Sequence, residues 1–150
     1  MNKNLSIAAA LGAIAVIIGA FASHKLKEMV TPEALNSIET AVRYQLYHVF
    51  VILFLNLYKS FTDDLKNKLS ILFFIGILLF SGSIYAIYLL EIPAKSIWFV
   101  TPLGGLILIV GWLWMSISFL KFGCQLEREF KRAERCFASF KVGIMMLSFM

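Results

Sequence analysis

Charge is scarce in this chain. Asp, Glu, Lys and Arg make up 15% of its 150 residues, whereas 60% are hydrophobic; ordinary globular chains carry roughly a quarter charged residues. In water such a chain would expose far more apolar surface than it could bury, which excludes a soluble domain and makes lipid the solvent. Cysteine is nearly as rare, with two residues. Cys124 and Cys136 form no CxxC motif and have no nearby histidine to complete a zinc site. On a cytoplasmic tail they stay reduced, with palmitoylation near the membrane face as the alternative. Catalytic motifs are missing too: there is no Gly-rich phosphate loop, Ser nucleophile elbow or HExxH. Glu39 is the only acid near a span with neighbours of chemical interest, so paired carboxylates are absent. The residues therefore point to no catalytic group, metal or resident cofactor, and lean away from an enzyme.

What the chain does have is long apolar runs. Four of them, about residues 5–22, 41–58, 69–90 and 97–120, approach the roughly 20 residues that a helix needs to cross about 30 Å of hydrocarbon. They are continuous rather than alternating, which argues against β-barrel strands. The first run also resembles a secretory signal, with Lys3 before it and Ala20-Phe21-Ala22 as an A-x-A site. Against cleavage stand Ala8/Gly12 and Ala15/Gly19/Ser23, small residues at four-residue spacing that let helices pack closely in lipid. A retained span is the expectation. Gly76, Gly82, Gly104, Gly105 and Gly111 are read as packing positions in the later runs on the same ground.

Thr31-Pro32-Glu33 is a helix start: threonine as N-cap, proline at the first helical position and an acid near the positive helix end. Thr101-Pro102 repeats it, which makes 96–100 an interfacial lead-in to the fourth span. The net charge of +5 comes from basic residues between and after the apolar runs, not interleaved with aromatics. This fits the positive-inside rule and not nucleic-acid binding. Lys3, Lys59, Lys66, Lys68 and the basic residues after Leu120 share one face; Lys25, Lys27, Arg43 and Lys95 share the other. Both termini are thus expected on the cytoplasmic side. The expected architecture is an all-α integral membrane four-helix bundle, N-in/C-in. It comprises a four-span domain over 1–120 and a basic amphipathic cytoplasmic tail over 121–150. In that tail Phe122, Leu126, Phe130, Ala133, Phe137, Phe140 and Ile144 recur at three- and four-residue steps, a pattern suited to the anionic lipid headgroups of the inner leaflet.

Polar residues inside a membrane are costly, so their placement carries the functional signal. The second run opens with Glu39, Arg43, Tyr44, Gln45 and His48; Glu39 and Arg43 are four apart on one face in the favourable acid-before-base order. Ser81, Tyr85 and Tyr88 line a face of the third run, and Thr101 opens the fourth. With His24 at the end of the first span, all of these fall in the outer half, while the inner half offers only Asn56, Ser116 and Ser118. Such asymmetry fits a structural polar clamp or an outward-facing pocket better than a channel. His24 and His48, expected at similar depth on adjacent helices, raise metal or haem ligation as an alternative to ordinary hydrogen bonding.

These residues carry a resemblance. The segment from Leu11-Gly12-Ala13 to Ser23-His24, then Glu39-Thr40-Ala41-Val42-Arg43-Tyr44-Gln45-Leu46-Tyr47-His48, Gly76 through Tyr85, and Thr101-Pro102-Leu103-Gly104-Gly105 through Gly111-Trp112-Leu113 are similar to four ordered blocks of the DUF423 (UPF0382) small membrane protein family. That family resembles the transmembrane protein 256 group. The resemblance covers about residues 5–120 and implies a four-span bacterial inner-membrane protein, with no established activity. It also implies that His24, Glu39, Arg43, Tyr44, Gln45, His48, Ser81 and Thr101 belong to the family pattern. The tail departs from the family, whose members usually stop near residue 120. The leading expectation is a non-enzymatic interaction or envelope-support component, as a homo-oligomer or with a membrane-protein partner. The alternative is a protein binding haem, quinone or lipid through His24, His48 and Arg43; a small-solute carrier or channel comes third.

Overall fold

The computed structural model describes the backbone from Asn2 to Leu147 and the side chains from Lys3 to Arg135. The chain is all-α: α1 (Asn2–His24), a 3-10 turn (Leu26–Glu28), α2 (Pro32–Leu57), α3 (Asp63–Leu89), the short α4 (Ala94–Ile97) and α5 (Val100–Leu147), with no strand among the described residues. The four long helices are each long and apolar enough to cross a membrane. α2 and α3, of 26 and 27 residues, are each about 40 Å long at 1.5 Å per residue, which exceeds the hydrocarbon core by about 10 Å. Their polar ends therefore reach the headgroup layer.

Two of the helix starts follow from local chemistry. Thr31 Oγ1 accepts a hydrogen bond from the Ala34 amide at 3.3 Å, with Pro32 in the first turn. Thr62 does the same for Leu65 at 3.4 Å, and Asp63 and Asp64 follow at the positive end of α3. Thr101-Pro102 behaves differently. α5 already begins at Val100, so Pro102 lies in the first turn, where its missing N–H costs nothing, and Thr101 is not a cap. The expected lead-in at 96–100 is the short α4 and the turn after it. α3 ends with Glu91 in the left-handed region (φ 55), a conformation usually filled by glycine, and the Ile92 amide donates to the Ala86 carbonyl at 3.1 Å.

The chain divides into two compact units, Met1–Leu113 and Trp114–Met150. In the first, α2 is the least apolar long helix and the most buried, with α1 and α3 packed against it. α1 runs antiparallel to α2: Gly12 faces Val49 and Gly19 faces Val42, so that small residues allow close approach. α3 runs antiparallel to both α2 and the start of α5. Gly104 lies on the α3 backbone at Leu79 and Phe80, Gly111 on the Phe73 ring, and Gly76 under Leu108. Gly105 and Gly82 make only ordinary contacts. Ile38, Ile52, Leu55, Leu69 and Phe73 are fully buried between the helices.

In the second unit the helix is exposed over most of its described length, with Leu126 and Phe130 open to the surroundings. Arg132 pairs with Glu129 at 3.2 Å, one turn away on the same helix. Phe137, Phe140 and Ile144 of the expected apolar stripe, together with Cys136 and Lys141, have side chains outside the described residues.

Candidate functional site

Antiparallel helices define two ends of the first unit, one at Thr31 and one at Thr62. From the Thr31 end to the middle of α2, polar side chains join each helix to its neighbours. Gln45 is buried on α2; its Nε2 donates to the Leu11 carbonyl of α1 at 2.7 Å, and its Oε1 accepts from the Tyr85 hydroxyl of α3 at 3.0 Å. One amide thus ties three helices. Ser81 on α3 donates to the Ala41 carbonyl of α2 at 2.8 Å, and Ser37 donates to the Tyr88 hydroxyl at 3.4 Å. Ser83 and Thr101 share a hydrogen bond of 2.6 Å between α3 and α5.

His48 joins α2 to α5. The Trp112 indole N–H of α5 donates to its Nε2 at 3.2 Å, while Nδ1 lies 2.7 Å from the Tyr44 carbonyl. An indole nitrogen is only a donor, so Nε2 is the acceptor, and Nδ1 carries the proton and donates to the carbonyl. Both ring nitrogens are engaged. The imidazole also lies 5.7 Å, centroid to centroid, from Phe73 and 6.2 Å from Trp112, and Tyr44 lies 4.8 Å from Phe80. Beside these rings a crevice of about 670 Å³ opens between α2 and α5, lined by Tyr44, Tyr47, His48, Phe80, Ile109 and Trp112 among others. A second cleft, of about 310 Å³, lies beside Gln45 and Tyr85 and is otherwise walled by apolar side chains.

Not every residue singled out in the sequence joins this network. Arg43 is exposed and donates to Thr40 Oγ1 at 3.1 Å; it forms no ion pair with Glu39, which is half-buried and unpaired among the described residues. His24 is exposed at the end of α1. The α1–α2 register, in which residue 12 faces 49 and 19 faces 42, puts His24 level with residue 37. The two histidines are therefore eleven residues apart along the helix pair, about 16 Å, and not at similar depth. They do not converge on one metal or haem iron. Among the described residues no three His, Cys, Asp or Glu side chains group as metal ligands.

The Thr62 end carries a second polar layer, of which the sequence pattern, with Asn56, Ser116 and Ser118 expected in the inner half, picks out Asn56 alone. Asn56 Nδ2 donates to Ser70 Oγ and to the Ile52 carbonyl, both at 2.8 Å. Asn4 Nδ2 reaches Asn56 Oδ1 at 3.4 Å and Asn67 Oδ1 at 3.2 Å. Lys66 is buried beside them. Asn4 and Asn67 escaped notice because they lie at the edges of the apolar runs, where polar residues are unremarkable. Trp112 had a readable signal: an indole N–H in an apolar run needs an acceptor. Between the two layers Val49, Ile52, Phe73 and Ile77 are buried.

Four apolar helices with polar links between them define a small multi-pass membrane protein. The chain belongs to the DUF423 family, described as "Protein of unknown function (DUF423)", whose pattern matches residues 18–105. It is 36% identical to a UPF0382 membrane protein of Haemophilus influenzae over 80% of this chain and 95% of the relative. UPF0382 membrane protein YwdK of Bacillus subtilis is 35% identical, covering 75% of this chain and 94% of its own length. UPF0382 inner membrane protein YgdD of Escherichia coli is 32% identical, over 78% and 88% respectively. No solved structure matches the chain significantly.

Proposed function

We propose that this protein is a non-catalytic component of the bacterial cytoplasmic membrane, oriented N-in/C-in, whose polar side chains clamp the bundle so that its outer surface can engage a membrane partner. One observation carries this reading. Gln45, His48, Ser81, Ser83, Tyr85 and Thr101 all have their polar atoms committed to hydrogen bonds within the protein. A group poised for chemistry would keep a lone pair or proton available to a substrate. The orientation rests on the Lys and Arg distribution, and the membrane on the Escherichia coli relative's being named an inner membrane protein. The basic tail is assigned to the anionic inner leaflet.

The test pairs Gln45→Leu and His48→Phe with unfolding in detergent and with pull-down from solubilised membranes. Lower stability with loss of any bound partner supports the clamp. Normal folding with selective loss of a measurable turnover would replace it with an enzyme. Orientation is tested by thiol labelling from outside intact cells, with Cys124 and Cys136 replaced. A cysteine introduced at Lys95 is expected to label, and one at Ser60 is not.

A second reading is favoured by the α2–α5 crevice: its aromatic walls suit a flat apolar ligand such as a quinone, or a lipid chain. Organic extraction of the purified protein followed by mass spectrometry distinguishes a retained quinone from bulk lipid. Haem is disfavoured, because Trp112 holds His48 Nε2 and His24 lies about 16 Å away along the helices.

A further inference from the structure

The polar layer at the Thr62 end forms a small basin that the clamp does not explain. Asn4, Asn56, Asp63, Asp64, Lys66 and Asn67 line a cavity of about 320 Å³. Lys66 is the notable member. Its side chain is 8% exposed, yet its ammonium makes no hydrogen bond among the described residues; the nearest carboxylate, Asp63, is 3.9 Å away and itself 84% exposed. No side-chain nitrogen or oxygen is sealed without a partner among the described residues, so the Lys66 ammonium opens onto the basin, where its three N–H donors are free to meet a ligand. The neighbours offer donors too. Asn67 accepts from Asn4 through its Oδ1, which leaves its amide N–H groups facing no acceptor among the described residues. α1 and α3 both begin at this end, so two positive helix termini add to the field.

The donors call for an anion, but the basin is not uniformly positive. Lys68 holds Asp64 at 2.7 Å, whereas Asp63 has only the distant Lys66. A ligand with one anionic and one cationic group suits this arrangement better than a simple anion. Depth identifies its source. α3 outruns the hydrocarbon core, so its first turn lies among the lipid headgroups. We propose that this basin binds the headgroup of an aminophospholipid of the adjoining leaflet, with the phosphate on Lys66 and the Asn67 amide and the primary ammonium on Asp63. Ordinary snorkelling of Lys66 into the headgroup layer would show no preference between lipids; the basin does, because the cationic group must be a hydrogen-bond donor to reach a carboxylate closely. The inference is independent of the orientation and clamp proposed above.

The experiment is native mass spectrometry of the full-length protein in mild detergent, titrated separately with phosphatidylethanolamine, phosphatidylcholine, phosphatidylglycerol and millimolar inorganic phosphate. The wild type is expected to retain phosphatidylethanolamine at about tenfold lower concentration than the other two lipids, the scale of a charge-assisted hydrogen bond. Lys66→Met should abolish the retention, and Lys66→Arg should restore part of it. Asp63→Asn should remove most of that tenfold preference, because the carboxylate is the group that distinguishes a primary ammonium from the other headgroups. That side chain is 84% exposed on the protein surface and its loss does not threaten folding, so this variant carries the test if Lys66→Met does not fold. Equal retention of all three lipids, or a preference unchanged in both variants, overturns the proposal. Displacement of the lipid by inorganic phosphate overturns it also, in favour of a free-anion site.

Discussion

Gly104 is where the packing is least able to yield. A Cβ added there would meet the Leu79 carbonyl carbon at 2.7 Å and the Phe80 Cα at 2.8 Å, besides the Phe80 amide nitrogen. These are backbone atoms within α3, so no rotamer change relieves the overlap. Restoring ordinary contact requires α3 and α5 to separate by about 1 Å. That would lengthen the Ser83–Thr101 hydrogen bond from 2.6 Å beyond useful range. Overpacking costs about 1–3 kcal/mol, and the lost interhelical hydrogen bond about 0.6 kcal/mol. The better helix propensity of alanine offsets up to about 1 kcal/mol. Gly104→Ala is therefore expected to destabilise the protein by about 1–3 kcal/mol. Gly105→Ala, whose Cβ meets only the Phe80 ring at 3.7 Å, and Gly123→Ala, with nothing within 4 Å, should be neutral or slightly stabilising. The assay is reversible unfolding in mixed micelles with rising SDS, followed by circular dichroism. If Gly104→Ala unfolds at the same SDS fraction as Gly105→Ala, the close α3–α5 packing is wrong.

Three further outcomes are expected in the same assay. A Gln45→Leu/Tyr85→Phe double-mutant cycle should give a coupling of about 0.6 kcal/mol, and no more than about 1.7, the range for hydrogen bonds between membrane helices; zero coupling would mean the pair is not bonded. Thr31→Ala removes the α2 cap and should cost about 1 kcal/mol, with Thr31→Ser close to wild type. Glu91→Gly should stabilise by about 1 kcal/mol, because glycine adopts the positive φ of that position without strain; a loss of stability would show that the Glu91 side chain has a role of its own.

Much of the architecture was legible in the sequence. Hydrocarbon has a set thickness and satisfies no backbone hydrogen bonds, so four long apolar runs can be little other than four helices. Thr31-Pro32 marked the start of α2 for a local reason, since a cap is made by residues three apart. Gln45, Ser81 and Tyr85 could be picked out because a polar side chain in an apolar run must find a partner. Which partner was decided only in three dimensions. Gln45 meets a carbonyl 34 residues earlier, His48 an indole 64 residues later and Asn4 an amide 63 residues away, and no spacing rule relates such positions. Register decided as much. It drew His24 away from His48 and gathered Asn4, Lys66 and Asn67 into one basin, while Arg43, four residues from Glu39 on the same helix, turned to Thr40 instead. The physical reason is the solvent. Lipid tails are as apolar as the bundle interior, so hydrophobicity says that a helix crosses the membrane but not which face turns inward. That choice falls to close packing at small residues and to a few hydrogen bonds, and both exist only once the helices meet.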